Sequence, residues 1–528
     1  MDNPIAFSIV VLSILLTVYI SWASRRHTRT AAEFYVAEGK ISWRLNGAAM
    51  LGDYCSAASF LGIAGAVALV GVDGWWVGLG FFGSWIVVLL VVAGPLKNTG
   101  KYTVADALSA RFSGSGIRIV AMLSTLVLCT LYLVPQIVGA GHLFKLLLGW
   151  DYLPTVLVTG ILMTLYVIMG GMMGTTYNQA IQGVVLFGVM LVILIWASIT
   201  HFGGNPLAIV EKSQEMVPPV VVTKEAAGTT AQIETVEAAR DLMPGAPSAL
   251  TPGVELRDLM NQASLVLGLF FGTLGLPHIL IRFYTVRSAQ AARKSAEFTI
   301  WGLAVFYAAV LLTGLAAMYV LYPKLIQLLA EGNRGLATNM AVPMLGQSLG
   351  GEIFMGLIAA GAMAAMLSTA VGLLISATTS LSHDLYATLL RPQSTDRERV
   401  LFAKIGSGFL AVLSIGLALW LRDQNVGILV AMCFGIAAST FAPALVFTVW
   451  WRRLTRQAVV AGMSVGLVLS LVLTFANFFK VSHILGLPVL INPALYSVPA
   501  AVLTTVLVTY LTKDTGRADE FMASAHGS

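Results

Sequence analysis

Long runs of apolar residues dominate the sequence from end to end, and polar residues are confined to short stretches between them. A helix needs about 20 apolar residues to cross a bilayer, and the runs lack the alternation of a transmembrane β-strand. The pattern therefore predicts an all-α polytopic membrane protein with about 13 transmembrane helices. The predicted spans are 6–24, 44–70, 75–95, 118–148, 153–170, 180–200, 263–284, 298–322, 351–382, 400–421, 426–451, 457–478 and 494–512.

Basic residues between the spans indicate an orientation. If the N-terminus lies outside, 22 of the 31 Lys and Arg residues fall on the inner side of the membrane. Cytoplasmic loops of membrane proteins carry such an excess. We therefore expect an external N-terminus and a cytoplasmic C-terminus.

Composition agrees with this class. Of 528 residues, 57% are hydrophobic and 11% are charged, whereas soluble domains carry about 25% charged residues. A soluble enzyme, a nucleic-acid-binding module and a disordered scaffold are excluded. The three cysteines, Cys55, Cys129 and Cys433, lie in apolar runs and form neither a disulfide framework nor a zinc pattern.

One long polar segment interrupts the series of spans. Residues 203–262 contain eight acidic and four basic residues together with several Pro and Gly pairs. This composition predicts a solvated extracytoplasmic loop with little fixed structure. A lid or a docking segment is the alternative interpretation.

The second span contains an acidic residue in an apolar setting. Asp53 lies in the segment Gly52–Gly62, which is rich in small and hydroxyl residues. A charge inside a bilayer is costly, so it usually faces a cavity or a partner. Asp53 could equally lie near the cytoplasmic end, either hydrated or capping a helix.

The seventh span also contains helix-weakening residues. Gly272, Gly275 and Pro277 precede His278, and such residues free backbone groups that must bond to protein, water or ligand. Broken helices mark substrate and ion sites in transporters, although an ordinary proline kink is the alternative. His278 could be a hydrogen-bonded structural residue as readily as a ligand or proton carrier.

The spacing of the two interrupted spans predicts an inverted repeat. Span seven comes five spans after span two, an odd offset, so two five-helix units would have opposite membrane topology. The predicted divisions are 1–43 for the first helix and cytoplasmic loop, 44–200 and 263–451 for the repeats, 201–262 for the outer loop, and 452–528 for two C-terminal helices and a tail.

Ser368 and Thr369 stand among small residues in span nine. Their hydroxyl oxygens could help to hold sodium, a hard cation that prefers oxygen. Both hydroxyls could instead bond to the carbonyls of their own helix.

Several motifs together resemble the sodium:solute symporters, and among them the acetate-permease-like cation/monocarboxylate group. They are the segments 52–63, 102–106, 170–176, 272–284 and 365–369. The resemblance runs over nearly the whole chain. It implies a leucine-transporter-type fold of five plus five helices, alternating access, and a place in the bacterial cytoplasmic membrane.

The resemblance also implies one sodium site between spans two and nine. Its ligands would be the backbone carbonyls of Gly52, Cys55 and Ala365 and the hydroxyls of Ser368 and Thr369. Many relatives carry an aspartate at the position of Gln179, where it belongs to a second sodium site in some of them. The amide at Gln179 therefore predicts a single coupled sodium.

The location of polar residues suggests a substrate site for a small carboxylate. The candidates are Asp53, Ser56, Ser59, Tyr132, Gln136, Thr273, Gly275 and Pro277. Exposed amides at 275–277 could supply an anion site, and we expect no arginine deep in a span. The sequence predicts sodium-coupled uptake of a monocarboxylate such as acetate and no enzymatic activity.

Two other functions stay open. One is proton-coupled symport with Asp53 as the proton carrier. The other is an integral subunit of a membrane enzyme complex, but the spans lack the paired histidines and buried charges that such subunits need.

Overall fold

The computed structural model describes residues 3–24, 30–56, 58–225, 235–254, 258–422, 424 and 426–527. The basic segment 25–29, which contributes to the predicted orientation, and Ala57 of the second span lie outside these residues. The described helices are α1 (Pro4–Ala23), α2 (Ala31–Val36), α3 (Trp43–Tyr54), α4 (Ile63–Val70), α5 (Trp76–Val91), α6 (Ala93–Thr99), α7 (Val104–Arg111), α8 (Ser115–Leu148), α9 (Tyr152–His201), α10 (Leu207–Ser213), α11 (Pro219–Glu225), α12 (Val236–Leu242), α13 (Leu259–Gly272), α14 (Pro277–Leu280), α15 (Ala289–Val320), α16 (Tyr322–Ala330), α17 (Arg334–Thr379), α18 (Asp396–Trp420), α19 (Val426–Trp450), α20 (Arg456–Phe478), α21 (Ala494–Leu511) and α22 (Ala518–His526).

Short irregular segments complete the fold. The 3₁₀ segments are Ala37–Gly39, Gly71–Trp75, Thr273–Gly275 and Ile281–Thr285, and the π-helical turns are Ala58–Gly62 and Ser380–Leu390. A two-stranded antiparallel hairpin, β1 (His483–Ile484) and β2 (Leu487–Pro488), connects α20 to α21. The chain is therefore all-α apart from this hairpin among the described residues.

Among the described residues, ten helical segments are long and apolar enough to cross a membrane, and the bent pair formed by α13 and α14 makes eleven. Two of these segments each contain two predicted spans. α9 is 50 residues long, about 75 Å, which is far longer than a bilayer is thick, and it breaks at Gly171, where φ is 52°. The other, Ala58–Val91, turns at Gly71, where φ is 70°. The prediction of about 13 spans is thus confirmed.

The helices are arranged around α17 and α19. Both are buried along nearly their whole apolar stretch, whereas α1 and α21 leave most of theirs exposed. Leu12 on α1 and Leu507 on α21 are 70% and 61% exposed. Because lipid tails are as apolar as the protein interior, hydropathy identifies the spans without distinguishing the central helices from the outer ones.

The outer loop is ordered in its described part, contrary to the expectation of little fixed structure. Met216 and Val217 are fully buried. The Tyr322 hydroxyl donates to the Val217 carbonyl at 2.6 Å, and the Ala249 carbonyl accepts from the Val72 amide at 2.8 Å. The reason is a short apolar run, residues 216–222, which packs against α4 and α16 and offsets the entropy of ordering the segment.

Candidate functional site

The second predicted span is interrupted at its middle. α3 ends at Tyr54, and Cys55 has φ −73° and ψ 78°, outside the helical region. The Ser56 amide then donates to the Tyr54 carbonyl at 2.9 Å, and helical structure resumes at Ala58. This break releases carbonyl groups at the end of α3 from the regular helical pattern.

Two hydroxyls of α17 meet these carbonyls. Ser368 Oγ donates to the Gly52 carbonyl at 2.6 Å and to the Ala365 carbonyl at 2.9 Å. Thr369 Oγ1 donates to the Asp53 carbonyl at 2.5 Å. The Ser368 contact to Ala365 is a bond within its own helix, but both hydroxyls also reach across to α3. The structure therefore gathers four of the five expected sodium ligands, with the Asp53 carbonyl as a further oxygen.

These oxygens fit a sodium ion chemically. Every group is a neutral carbonyl or hydroxyl oxygen, which suits a hard cation, and the Gly52 and Asp53 carbonyls come from the broken end of α3. Cys55 lies in the break and is buried. Its place next to the other groups is compatible with a ligand role for its backbone oxygen.

A close approach between glycines brings α3 and α9 together at this point. A Cβ atom on Gly52 would lie 2.0 Å from the Gln179 carbonyl oxygen. A Cβ on Gly183 would likewise come within 3.0 Å of the Gly52 Cα. Only glycine at position 52 allows α9 to lie this close to the broken end of α3.

The Asp53 carboxylate lies in the interior and is paired with an arginine. Asp53 and Arg282 are both fully buried, with Arg282 Nε 3.7 Å from Asp53 Oδ2. The expectation that no arginine lies deep in a span is therefore wrong, and a hydrated Asp53 at the membrane edge is excluded. Arg282 lies near the C-terminal end of predicted span seven (263–284), in the part of the bent pair that follows Pro277, and the bend carries it into the bundle.

Arg282 connects to the cation-site helices through Gln179. Arg282 Nη1 donates to Thr176 Oγ1 at 2.6 Å, and Nη2 donates to Gln179 Oε1. Gln179 Nε2 in turn donates to the Ser368 carbonyl at 2.8 Å. Gln179 thus uses both ends of its amide, one toward the guanidinium and the other toward α17.

Two of the predicted substrate residues belong to hydroxyl networks within the protein. Thr273 Oγ1 lies 2.6 Å from Ser84 Oγ and 2.9 Å from the Tyr54 hydroxyl. Ser59 Oγ lies 3.1 Å from the Tyr307 hydroxyl. Neither tyrosine was expected from the sequence, since tyrosine in an apolar run is indistinguishable from a packing residue.

A second polar group lies between α8 and the broken span seven. Tyr132 and His278 are buried, with ring centroids 5.4 Å apart in an edge-to-face arrangement. Gln136 stands one turn from Tyr132 on α8 and is also fully buried. Within the described part of the chain, the Gln136 amide, both His278 ring nitrogens and the Ser56 hydroxyl have no hydrogen-bond partner. Because buried polar atoms are normally paired, this cluster has hydrogen-bonding capacity to offer a ligand.

The segment 275–277 has mainly a packing role. A Cβ on Gly275 would lie 2.3 Å from the Ala437 carbonyl oxygen, so glycine permits contact with α19. Pro277 begins α14, which has only four residues, and proline has no amide hydrogen to donate. The Leu276 amide donates to the Thr273 carbonyl at 3.3 Å, so the described residues do not present the array of free amides that was predicted at 275–277.

A charged network lies just beyond the C-terminal end of α17, where the π-helical segment Ser380–Leu390 follows it. Arg118 Nη1 bonds to Asp106 Oδ1 at 2.9 Å and to Asp384 Oδ1 at 2.6 Å, and His383 Nε2 lies 3.0 Å from Asp106 Oδ1. Burial by itself would raise the pKa of Asp106, but the His383 hydrogen bond and the charges of His383 and Arg118 lower that pKa to about 2. The network ties α7 and α8 to the end of the helix that carries Ser368.

Comparisons with known proteins agree with this arrangement. Residues 34–466 match the model of the sodium:solute symporter family. The chain is 38% identical over 97% of its length to an uncharacterized symporter, YwcA, of Bacillus subtilis, covering 95% of that protein. It is 37% identical over 90% of its length to a monocarboxylic acid transporter of Corynebacterium glutamicum, covering 84% of that protein.

Solved structures show the same fold at low sequence identity. A Na⁺-coupled sialic acid symporter, substrate-bound and outward-open, matches with a TM-score of 0.72 at 16% identity, over 97% of this chain and 98% of that one. Mhp1, a nucleobase-cation-symport-1 family transporter in a closed conformation, matches with a TM-score of 0.53 at 12% identity, over 93% and 98%. The predicted leucine-transporter-type architecture is confirmed.

Proposed function

Starting from the fact that the chain belongs to the sodium:solute symporter family, we propose that it couples sodium entry to the uptake of a small monocarboxylate such as acetate. Transport would proceed by alternating access across the bacterial cytoplasmic membrane, with the N-terminus outside. The family and the fold neighbours are transporters of small solutes, which supports a transport rather than an enzymatic role.

The contacts of Ser368 and Thr369 with α3 carry the sodium part of the proposal. Gly52, Cys55 and Ala365 would contribute backbone oxygens, and the two hydroxyls would complete the set with the Asp53 carbonyl. Bound sodium would link α3 to α17. Sodium would stabilise the conformation in which these helices are linked, and substrate would bind more tightly to that same conformation. Each ligand would therefore raise the affinity for the other.

The unpartnered polar cluster supports a small anionic substrate. A carboxylate accepts hydrogen bonds, and the Ser56 hydroxyl, the Gln136 amide and a His278 N–H can all donate them. Tyr132 and Phe434, whose rings are 5.9 Å apart, bound this region and favour a short apolar chain. The match to a monocarboxylic acid transporter over 90% of the chain points to the same substrate class. Asp53 would act through its carbonyl, since its carboxylate faces Arg282.

Transport into proteoliposomes tests the proposal. Labelled acetate uptake is measured under an imposed inward sodium gradient, an imposed proton gradient, or neither. We expect stimulation by sodium, and a higher KM for acetate in Gln136→Leu, which removes a donor while keeping similar volume. Ser407→Ala, which removes a hydroxyl bonded within its own helix at 2.9 Å, serves as the control. Stimulation by the proton gradient alone would favour the proton-coupled alternative and overturn the sodium assignment.

A further inference from the structure

The buried pair of Asp53 and Arg282 has a consequence for coupling stoichiometry. Resting on the proposed function, we infer that Arg282 is a tethered cation that neutralises Asp53, so that one mobile cation suffices for each transport cycle. The inference concerns the number of coupling ions, and it makes Arg282 a positioning residue rather than a ligand.

The pair is placed where a bare carboxylate would attract an ion. The Asp53 backbone oxygen already bonds to the Thr369 hydroxyl at 2.5 Å. Its side chain lies against α17 at Gly372, where an added Cβ would come within 2.4 Å of Oδ1. Gly372 is less than one helical turn beyond Thr369. The carboxylate therefore stands beside the expected sodium ligands.

Burial makes the countercharge obligatory. Both Asp53 and Arg282 have no exposed side-chain surface, and an isolated charge in such a place is strongly unfavourable. Neither Asp53 carboxylate oxygen has a hydrogen-bond partner among the described residues. In the described part of the chain, Arg282 is the cation within ion-pair distance of this carboxylate.

Gln179 and Thr176 hold the guanidinium in place. Arginine has only donors, so it must meet the carbonyl end of the Gln179 amide, and the amide NH₂ is then directed to the Ser368 carbonyl. A carboxylate at position 179 could accept from Arg282 but could not donate to Ser368. The neutral amide thus matches an arrangement in which the second positive charge belongs to the protein.

Removing the arginine charge should therefore change the number of ions transported. In Arg282→Gln, Asp53 would be left to recruit a mobile cation, and one extra positive charge would enter per cycle. At −100 mV one charge raises the limiting accumulation ratio about 50-fold. In Asp53→Asn/Arg282→Gln, where both charges are removed, and in Arg282→Lys, where both remain, the potential should have no such effect.

The test measures labelled acetate accumulation in proteoliposomes with a potassium diffusion potential set by valinomycin. For wild type we expect sodium dependence with a Hill coefficient near one and little response to potential. For Arg282→Gln we expect a large response to inside-negative potential, with a Hill coefficient for sodium near two or, if the recruited cation is a proton, a new acid stimulation. The double variant should lose the response.

Two outcomes would overturn the inference. One is sodium-dependent accumulation in Arg282→Gln that stays insensitive to potential, and the other is a potential response in the double variant equal to that of Arg282→Gln. If Arg282→Gln does not fold, Asp53→Asn provides the test. Its unbalanced arginine should raise the sodium concentration for half-maximal binding at least 10-fold, and an unchanged value refutes the role. Absence of sodium stimulation in wild type would instead refute the proposed function.

Discussion

The hydroxyls of Ser368 and Thr369 offer the most direct test of the cation site. We consider Ser368→Ala and Thr369→Val, which remove one hydroxyl each and change the side-chain volume little. Both residues are fully buried, and each hydroxyl bonds to a carbonyl of α3 at 2.6 Å or less. A structural role alone and a ligand role predict different effects on sodium binding.

The expected magnitude is the difference between two losses. A hydrogen bond or ligand contact to a charged group is worth about 1.5–3 kcal/mol, and a neutral hydrogen bond about 0.5–1.5 kcal/mol. In the sodium-bound state the variant loses the contact between the hydroxyl and the ion. In the sodium-free state it loses the neutral hydrogen bond from the hydroxyl to the α3 carbonyl. The net loss of sodium binding is then about 1–2 kcal/mol, which corresponds to roughly 5- to 30-fold in the half-saturating sodium concentration.

The assay is acetate uptake as a function of sodium concentration in proteoliposomes, with sodium-dependent thermal stabilisation in detergent as a second readout. Thr378→Val is the matched control, because Thr378 is a fully buried hydroxyl of the same helix that bonds to the Leu374 carbonyl at 2.7 Å. We expect the control to keep the wild-type sodium dependence.

A merely structural role would lower protein yield or stability without moving the sodium dependence of the folded fraction. If Ser368→Ala and Thr369→Val both retain the wild-type half-saturating concentration, the two hydroxyls are helix-packing groups and the sodium site lies elsewhere.

Three further predictions concern stability and packing. Asp106→Asn should lower the free energy of unfolding by about 2 kcal/mol at pH 7. A carboxyl group whose pKa is lowered by folding stabilises the protein at pH values above its unfolded pKa, so the difference from wild type should vanish as pH falls from about 4 to about 2. Equal differences at pH 7 and pH 2 in detergent-solubilised protein would contradict this. Gly52→Ala should abolish folding or uptake, as judged by size-exclusion profile and transport, because the Gln179 carbonyl would lie 2.0 Å from the new Cβ. Tyr322→Phe should accelerate hydrogen exchange at residues 216–222 by roughly 5-fold or more, since the Val217 carbonyl loses its 2.6 Å bond; unchanged exchange there would show that the loop is held by apolar contacts alone.

Hydropathy and the placement of glycine and proline predicted the spans and the inverted repeat, and the family resemblance added the leucine-transporter-type fold. The spans follow from the length of the apolar runs, and the breaks follow from Asp53 and its neighbours and from Gly272 to Pro277. The pair Ser368 and Thr369 could be selected as cation ligands only with the help of a family resemblance, because hydroxyls in membrane helices more often bond to their own helix.

Other features depend on long-range packing and could not be predicted from the sequence. In the sequence Arg282 is near the end of the predicted span seven, and only the bend of this span places it beside Asp53. Tyr54 and Tyr307 look like packing residues until their hydroxyls are seen with Thr273 and Ser59. The overall polarity of the outer loop predicts little fixed structure, because a composition averaged over the whole loop does not show the short apolar run at 216–222.

The break at Gly171 also bears on how the protein enters the membrane. Spans five and six, which make up α9, meet at this glycine with no loop between them, and no Lys or Arg occurs from residue 152 to residue 201. The connection between the two helices therefore lacks the basic residues that normally help to direct a hairpin to one orientation. We expect the two helices to be inserted together as a single unit during synthesis, in an orientation dictated by the spans that precede them. A Gly171→Val substitution, which disfavours the positive φ of 52°, should therefore impair biogenesis before it affects transport.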